Sequence, residues 1–188
     1  MFNIRYASIR NLDVSNGEGV GISLFVQGCP FHCYNCFNPK TWDFYGGKEW
    51  TEETENKFIE LAKRPYIKRI SILGGEPLAK ENLDGVLKLI NKIRVLLPEK
   101  TIWLYTGYTI NIYECYNSDH TEFSITPKST YYSDRMRYDI IKKCDVLIDG
   151  QYIDSQKDIT LKFRGSKNQR IIDIQKSLKE NEIVLWEN

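Results

Sequence analysis

Val20-Gly21-Ile22-Ser23-Leu24-Phe25-Val26-Gln27 runs without a charge into Gly28-Cys29-Pro30-Phe31-His32-Cys33-Tyr34-Asn35-Cys36. The first eight residues read as a buried strand, and the Cys-Pro step after them ends it. The next apolar run, Ile67 to Leu73, is a second strand with Ile70 and Ile72 on one face, and it too ends in a polar turn, Gly74-Gly75-Glu76-Pro77. Between the two strands, Thr51 to Arg64 opens on Glu52 and Glu53, repeats Phe58, Leu61 and Ala62 on one face and stops at Pro65. That is a helix with acidic residues at its positive end. Strand, helix, strand is the unit from which parallel sheets are built.

The alternation continues. Asn82 is placed to cap a helix whose Leu83, Val86, Leu87, Ile90, Ile93 and Leu97 keep the helical period until Pro98. Thr101 to Tyr105 is a third strand, apolar nearly throughout, as expected of a parallel strand covered on both faces. A weaker helix is expected from Ile110 to Tyr116. Residues 116–133 are polar and aperiodic, longer than the roughly 12–15 residues of a plain loop, and read as an insertion or flap. Arg135 to Lys143 is expected to be helical, Cys144 to Ile148 a fourth strand, and Glu182 to Trp186 a last edge strand.

With 188 residues the chain falls short of the ~250 of a closed eightfold barrel. The expected fold is therefore α/β, a partial, open β/α barrel with a mostly parallel sheet, in one domain covering residues 1–188. In such architectures chemistry collects at the carboxyl ends of the strands. Here those ends carry the cysteine loop, Gly74–Pro77, Thr106-Gly107-Tyr108 and Asp149-Gly150, so these loops should open on one face.

Composition excludes several classes. With 41% apolar and 27% charged residues the chain can bury a core, and a net charge of +1 makes no electrostatic case for nucleic acid or an anionic membrane. Its apolar runs are far below the ~18 residues of a membrane span, and Met1–Arg5 lacks the features of a signal peptide. A cytoplasmic location is expected. In a reducing compartment three cysteines within eight residues point to a metal or redox site. Cys115 and Cys144 read as small buried hydrophobes.

Cys29, Cys33 and Cys36 follow the spacing C-x3-C-x2-C. Thiolates suit iron–sulfur clusters or zinc. Three on one tight loop can wrap a corner of a cubane and leave its fourth iron open to a substrate or cofactor. The competing reading is a Cys3His zinc site completed by His32. Against it, His32 adjoins Cys33, and no second cysteine knuckle exists.

The cysteine spacing at the end of one strand, with Gly-Gly-Glu-Pro at the end of the next, resembles the radical S-adenosylmethionine (SAM) superfamily. Asp13–Gly19, Phe25–Cys29, Cys36–Trp42, Leu73–Leu78, Trp103–Tyr108, Asp145–Gly150 and Arg164–Arg170 follow in order over about residues 10–172. That series is similar to the activating proteins of anaerobic (class III) ribonucleotide reductase. Asn35 stands where many radical SAM proteins place an aromatic residue.

The resemblance implies a [4Fe-4S] cluster on Cys29, Cys33 and Cys36, with SAM chelating its open iron. Reductive cleavage would give a 5′-deoxyadenosyl radical that takes a hydrogen from a glycine of the reductase's catalytic subunit. It also implies a flavodoxin or ferredoxin as electron donor. Gly74, Gly75, Glu76 and Pro77 would then serve the methionine end of SAM, and Asn35 and Phe37, which flank Cys36, the adenosyl part. Thr106, Gly107, Asp149 and Gly150 are further candidate contacts. Arg164, Lys167 and Arg170 are candidates for docking a partner. The rival readings are an activase of another glycyl-radical enzyme, a small-molecule radical SAM synthase, and a non-catalytic module with a structural metal.

Overall fold

The computed structural model describes residues 4–111, 122–124 and 132–187. In chain order the strands and helices are β1 (Arg5–Asp13), β2 (Gly21–Val26), β3 (Lys48–Glu49), α1 (Glu52–Ala62), β4 (Arg69–Gly74), α2 (Leu83–Leu96), β5 (Thr101–Tyr105), β6 (Thr109–Asn111), β7 (Glu122–Ser124), α3 (Tyr132–Ile141), β8 (Val146–Asp149), β9 (Arg170–Asp173) and α4 (Ile174–Glu180). Seven strands form one sheet in the order β3-β1-β2-β4-β5-β8-β9, while β6 and β7 pair separately.

The expected mostly parallel partial barrel is corrected to an open, mixed sheet. Its centre is parallel, β2 to β4, β4 to β5 and β5 to β8. Both flanks are antiparallel, with β1 against β2 and β3 on one side and β9 against β8 on the other. The two edges, β3 and β9, do not meet, so the sheet is not closed. The cause is local. A parallel return needs a crossover, usually a helix, and the short loop from β1 to β2 holds none. The stretch from β8 to β9 contains only one turn of 3-10 helix, Asp154–Gln156.

The two faces of the sheet differ. Ile22, Leu24, Ile70, Ile72, Ile102, Leu104, Leu147 and Ile172 join one cluster with Phe58, Val86, Leu89, Ile90, Ile140 and Ile174 of the helices. Each fully buried side chain of this kind contributes about 1.5–3 kcal/mol. The alternate strand residues project the other way, where Trp103, Val146 and Ile148 form a second cluster with Tyr105, Phe163, Ile171 and Trp186. The helices thus pack on one face and leave the other to loops.

Three local expectations also change. Thr109–Asn111 is a strand, not the start of a helix, and the remainder of the 110–116 helix lies outside the described residues. Asn82 makes no side-chain cap for α2; its Nδ2 donates to carbonyls of the two neighbouring loops instead. The expected edge strand at Glu182–Trp186 reduces to a single bridge from Leu185 to Ile172. Within the inserted segment Glu122–Ser124 is a strand and Tyr132 and Ser133 open α3, while the rest falls outside the described residues. Among the described residues no helix is long and apolar enough to cross a membrane.

Candidate functional site

Parallel pairing brings the ends of β2 and β4 level, with Val26 opposite Gly74. The two loops that follow are joined through backbone: Gly75 N–H donates to Val26 O (2.8 Å) and Glu76 N–H to Gly28 O (2.7 Å). This approach explains both glycines. A Cβ on Gly74 (φ +108°) would lie 2.7 Å from the Phe25 backbone, and one on Gly75 would collide with the Gly28 carbonyl. Asn82 completes the joint, its amide donating to Gln27 O (3.0 Å) and Glu76 O (2.8 Å).

The cysteine loop closes on its own far end. Gly28 and Cys29 N–H groups donate to Thr41 and Trp42 carbonyls at 2.8 and 3.0 Å, and Gln27 Nε2 bonds the carbonyls of Lys40 and Asp43. Inside it, Cys36 N–H donates to Cys33 O (3.1 Å), and Asn38 N–H lies 3.4 Å from Cys36 Sγ. His32 and Asn35 both adopt positive φ, 46° and 54°, a region costly for residues with a side chain. Surroundings hold that strain in place: His32 stacks on Trp42, and Asn35 Nδ2 donates to Asp154 Oδ2 at 3.1 Å.

The three thiols line a cleft of about 570 Å³ on the face away from the helices, within the range of small-molecule sites. Gly74, Gly75, Glu76, Thr106, Gly107 and Gly150 line it too, so all four strand-end loops meet there. Phe31 of the cysteine loop lies against Gly107, where a Cβ would come within 2.5 Å of its ring. Phe37 packs on Tyr152 with ring centres 5.0 Å apart.

Of the residues singled out from the sequence, Cys29, Cys33, Cys36, Phe37, Gly74, Gly75, Glu76 and Thr106 are brought together on the cleft wall. Asn35, Pro77 and Asp149 are not on it. Asp149 is 1% exposed and accepts from Arg170 and from Ile110 N–H (2.9 Å). Of the basic loop, Arg164 lines the cleft, while Lys167 pairs with Asp158 at 3.6 Å and Arg170 is held by Asp149. Sequence reasoning missed Arg10, Tyr152 and Phe163, which also line it, while Tyr105 and Gln169 line it from the Trp103–Tyr108 and Arg164–Arg170 stretches, in which they were given no role. Ser15 and Asn16 line it as well and belong to the Asp13–Gly19 stretch, whose pattern was noticed without a role. That stretch is anchored by Arg69, which is wholly buried and bonds Asp13 O (2.7 Å), Glu18 O (3.2 Å) and Asn16 O.

Electrostatics favour the neutral thiol at Cys29 and Cys33 until a metal arrives. Burial first and the Glu76 carboxyl second push Cys29 up to about 12, and burial likewise raises Cys33. Glu76 itself is raised to about 7 by burial, against the opposing pull of donors from Gly107, Leu78 and Thr106. Metal binding must therefore release protons.

The donor set suits a cluster better than a single ion. Among the described residues no three His, Cys, Asp or Glu side chains converge on one ion, whereas tetrahedral zinc holds its ligand atoms within ~4 Å of one another. His32 lines a different concavity with Trp42, turned from the cleft. Three thiols lining one open cleft fit an inorganic core that leaves one metal for another ligand.

Residues 15–172 match the family described as a 4Fe-4S single cluster domain. The chain is 36% identical over 170 residues to the anaerobic ribonucleoside-triphosphate reductase-activating protein of Vibrio cholerae, covering 89% of this chain and 97% of that protein. Against the protein of that name from Escherichia coli K12 it is 32% identical over 88% of this chain and 96% of the relative. For the one from Enterobacteria phage T4 the figures are 31%, 89% and 93%. On these grounds the chain belongs to the family of anaerobic ribonucleoside-triphosphate reductase-activating proteins, enzymes built on a 4Fe-4S domain.

Proposed function

We propose that this protein is the radical SAM activase of an anaerobic ribonucleotide reductase, placing a glycyl radical on the reductase's catalytic subunit. The observation that carries the reading is the meeting of three thiols with the Gly74–Glu76 turn in one open cleft. A [4Fe-4S] cluster and SAM supply reductive carbon–sulfur cleavage and the hydrogen abstraction that leaves the radical on the partner.

The protein's own residues hold and orient. Cys29, Cys33 and Cys36 are the cluster ligands. Gly74 and Gly75 bring backbone to the cleft wall without side chains in the way, and Glu76, fixed by Leu78 N–H, Thr106 Oγ1 and Gly107 N–H at 2.7–2.8 Å, closes its floor. Phe37 and Tyr152 form the aromatic wall toward which we assign the adenosyl group. Asn35 acts on that wall indirectly, through Asp154, whose other oxygen accepts from the Tyr152 hydroxyl at 2.7 Å. We assign Pro77 and Asp149 to the support of these loops rather than to direct contact. A cleft open on one side suits a macromolecular substrate whose inserted segment completes the enclosure. A flavodoxin or ferredoxin in the cytoplasm is the electron source we propose.

The test is anaerobic reconstitution followed by electron paramagnetic resonance. Reduced protein, SAM and the catalytic subunit should give a doublet glycyl signal. Cys36→Ala should lose cluster, SAM cleavage and signal together, while Cys144→Ala, altering a thiol buried far from solvent, should keep all three. No signal from the unaltered protein, with SAM cleaved normally, would redirect the activity to another substrate.

A further inference from the structure

The stretch after β8 clasps the cysteine loop. Asn35, at φ 54° between Cys33 and Cys36, donates from Nδ2 to Asp154 Oδ2 at 3.1 Å, and the Tyr152 hydroxyl donates to the other Asp154 oxygen at 2.7 Å. Phe37, the residue after Cys36, packs its ring on that of Tyr152, and Gly165 leaves room for both: a Cβ there would lie 2.8 Å from the Phe37 ring and 3.1 Å from that of Tyr152. The clasp is itself fastened to the Arg164–Arg170 stretch. Asn168 Nδ2 donates to Gln151 O at 2.8 Å, and Ile153 N–H donates to Ser166 Oγ at 3.2 Å. The residues on either side of Tyr152 are thus both tied down.

What this fastening delivers is a main-chain donor to sulfur. Cys29 receives the N–H groups of Phe31 and His32, and Asn38 N–H lies 3.4 Å from Cys36 Sγ. At Cys33 burial and the neighbouring Cys36 raise the thiol, and the Tyr152 N–H opposes that rise by donating to its sulfur. Of these donors Tyr152 alone lies outside the cysteine loop.

We propose that Asn35, Asp154 and Asn168 are positioning residues that hold the Tyr152 amide on the Cys33 sulfur and so set the reduction potential of the group on Cys29, Cys33 and Cys36. The proposal rests on the iron–sulfur reading above and goes beyond it, since the stretch that brings the donor supplies no ligand. A donor to a thiolate withdraws charge from the metal that the sulfur holds. Reduction adds negative charge to that group, so the bond favours the reduced form and raises the potential. Tyr152 also lines the cleft, so whatever displaces this wall acts on the potential through the same bond and makes the group a stronger reductant.

The experiment compares the unaltered protein with Asn35→Gly and Asn168→Ala, each reconstituted without air. Neither substitution changes a charge, and glycine accepts the positive φ at position 35. Removing the Asp154 carboxylate itself would raise the potential through space and mask the lost donor, so that residue is left in place. Each protein is titrated with dithionite and redox mediators in the absence of SAM, and the reduced cluster is followed by electron paramagnetic resonance. Both variants should have a more negative midpoint, the ratio of reduced to oxidised cluster at a fixed potential falling about threefold or more, or ~28 mV at 59 mV per factor of ten. Their iron and sulfide content should match that of the unaltered protein. Thr160→Ala, in the same stretch but bonded to Asp158, should not move the midpoint. An unmoved or raised midpoint in Asn168→Ala, or an equal shift in Thr160→Ala, would overturn the proposal. Loss of the cluster from both positioning variants would overturn it too, the stretch then serving assembly rather than potential. Absence of any cluster signal from the unaltered protein would instead bring down the iron–sulfur reading, and this proposal with it.

Discussion

Glu76 shows how burial and hydrogen bonding compete at one carboxyl. It is 1% exposed and receives three donors, yet burial prevails and its pKa stands at about 7, above the ordinary 4.5. A folded value above the unfolded one means that the folded state holds an extra proton between those limits. The stabilisation is whole below pH 4.5 and is lost as pH rises through 7, an effect of about 3 kcal/mol. Urea titrations of the metal-free protein at pH 5 and pH 7.5 should show it. The stability difference between wild type and Glu76→Gln should change by about 2–3 kcal/mol across that interval, the wild type losing ground at the higher pH. A constant difference would mean that the three donors keep the carboxylate ionised throughout. The residue was legible as part of a turn, but its partners were not: Thr106 and Gly107 lie thirty positions away, and sequence spacing carries no sign of a bond between loops of different strands.

At the level of elements, Asp149 joins three pieces of chain. Arg170 reaches it from β9, Ile110 N–H from β6, and Arg170 also bonds Ile110 O at 2.8 Å. Arg170→Met should leave a buried carboxylate with a single donor and cost about 3 kcal/mol in denaturant titration, the low end for a broken buried pair because Arg170 is partly exposed. A loss under about 1 kcal/mol would mean that water replaces the guanidinium. The regular elements were the readable ones. For β2, α1, β4, α2 and β5 the apolar period is unbroken, and the observed bounds differ from expectation by at most two residues. β1 was invisible because register shifts between Tyr6 and Ser8 and between Arg10 and Asp13 interrupt the alternation that would announce a strand. β9 was hidden for a related reason: its four residues are mostly half-buried, and its antiparallel partner, β8, is separated from it by a long irregular stretch.

Taken whole, the molecule is one-sided. Helices cover one face of the sheet, and the opposite face carries the cleft with Ser15, Asn16, Phe163 and Arg164 on its wall. A catalytic subunit closing that side should slow hydrogen exchange at the amides of Ser15, Asn16 and Phe163–Gly165 and leave α1 and α2 unchanged. Slowing confined to the helices would place the partner on the wrong face. The general location of the site was legible because strand ends alternate with apolar runs along the chain. Its outer wall was not, since Tyr152 and Phe163 come from a stretch without period. The joint between the β2 and β4 loops has a further consequence for life near oxygen. It is made of main-chain bonds from Gly75 and Glu76 to Val26 and Gly28 and of the Asn82 amide's two bonds, none of which passes through sulfur. A protein braced in this way can be stripped of its inorganic core by air and still keep the cradle standing, ready to be refitted without first being unmade.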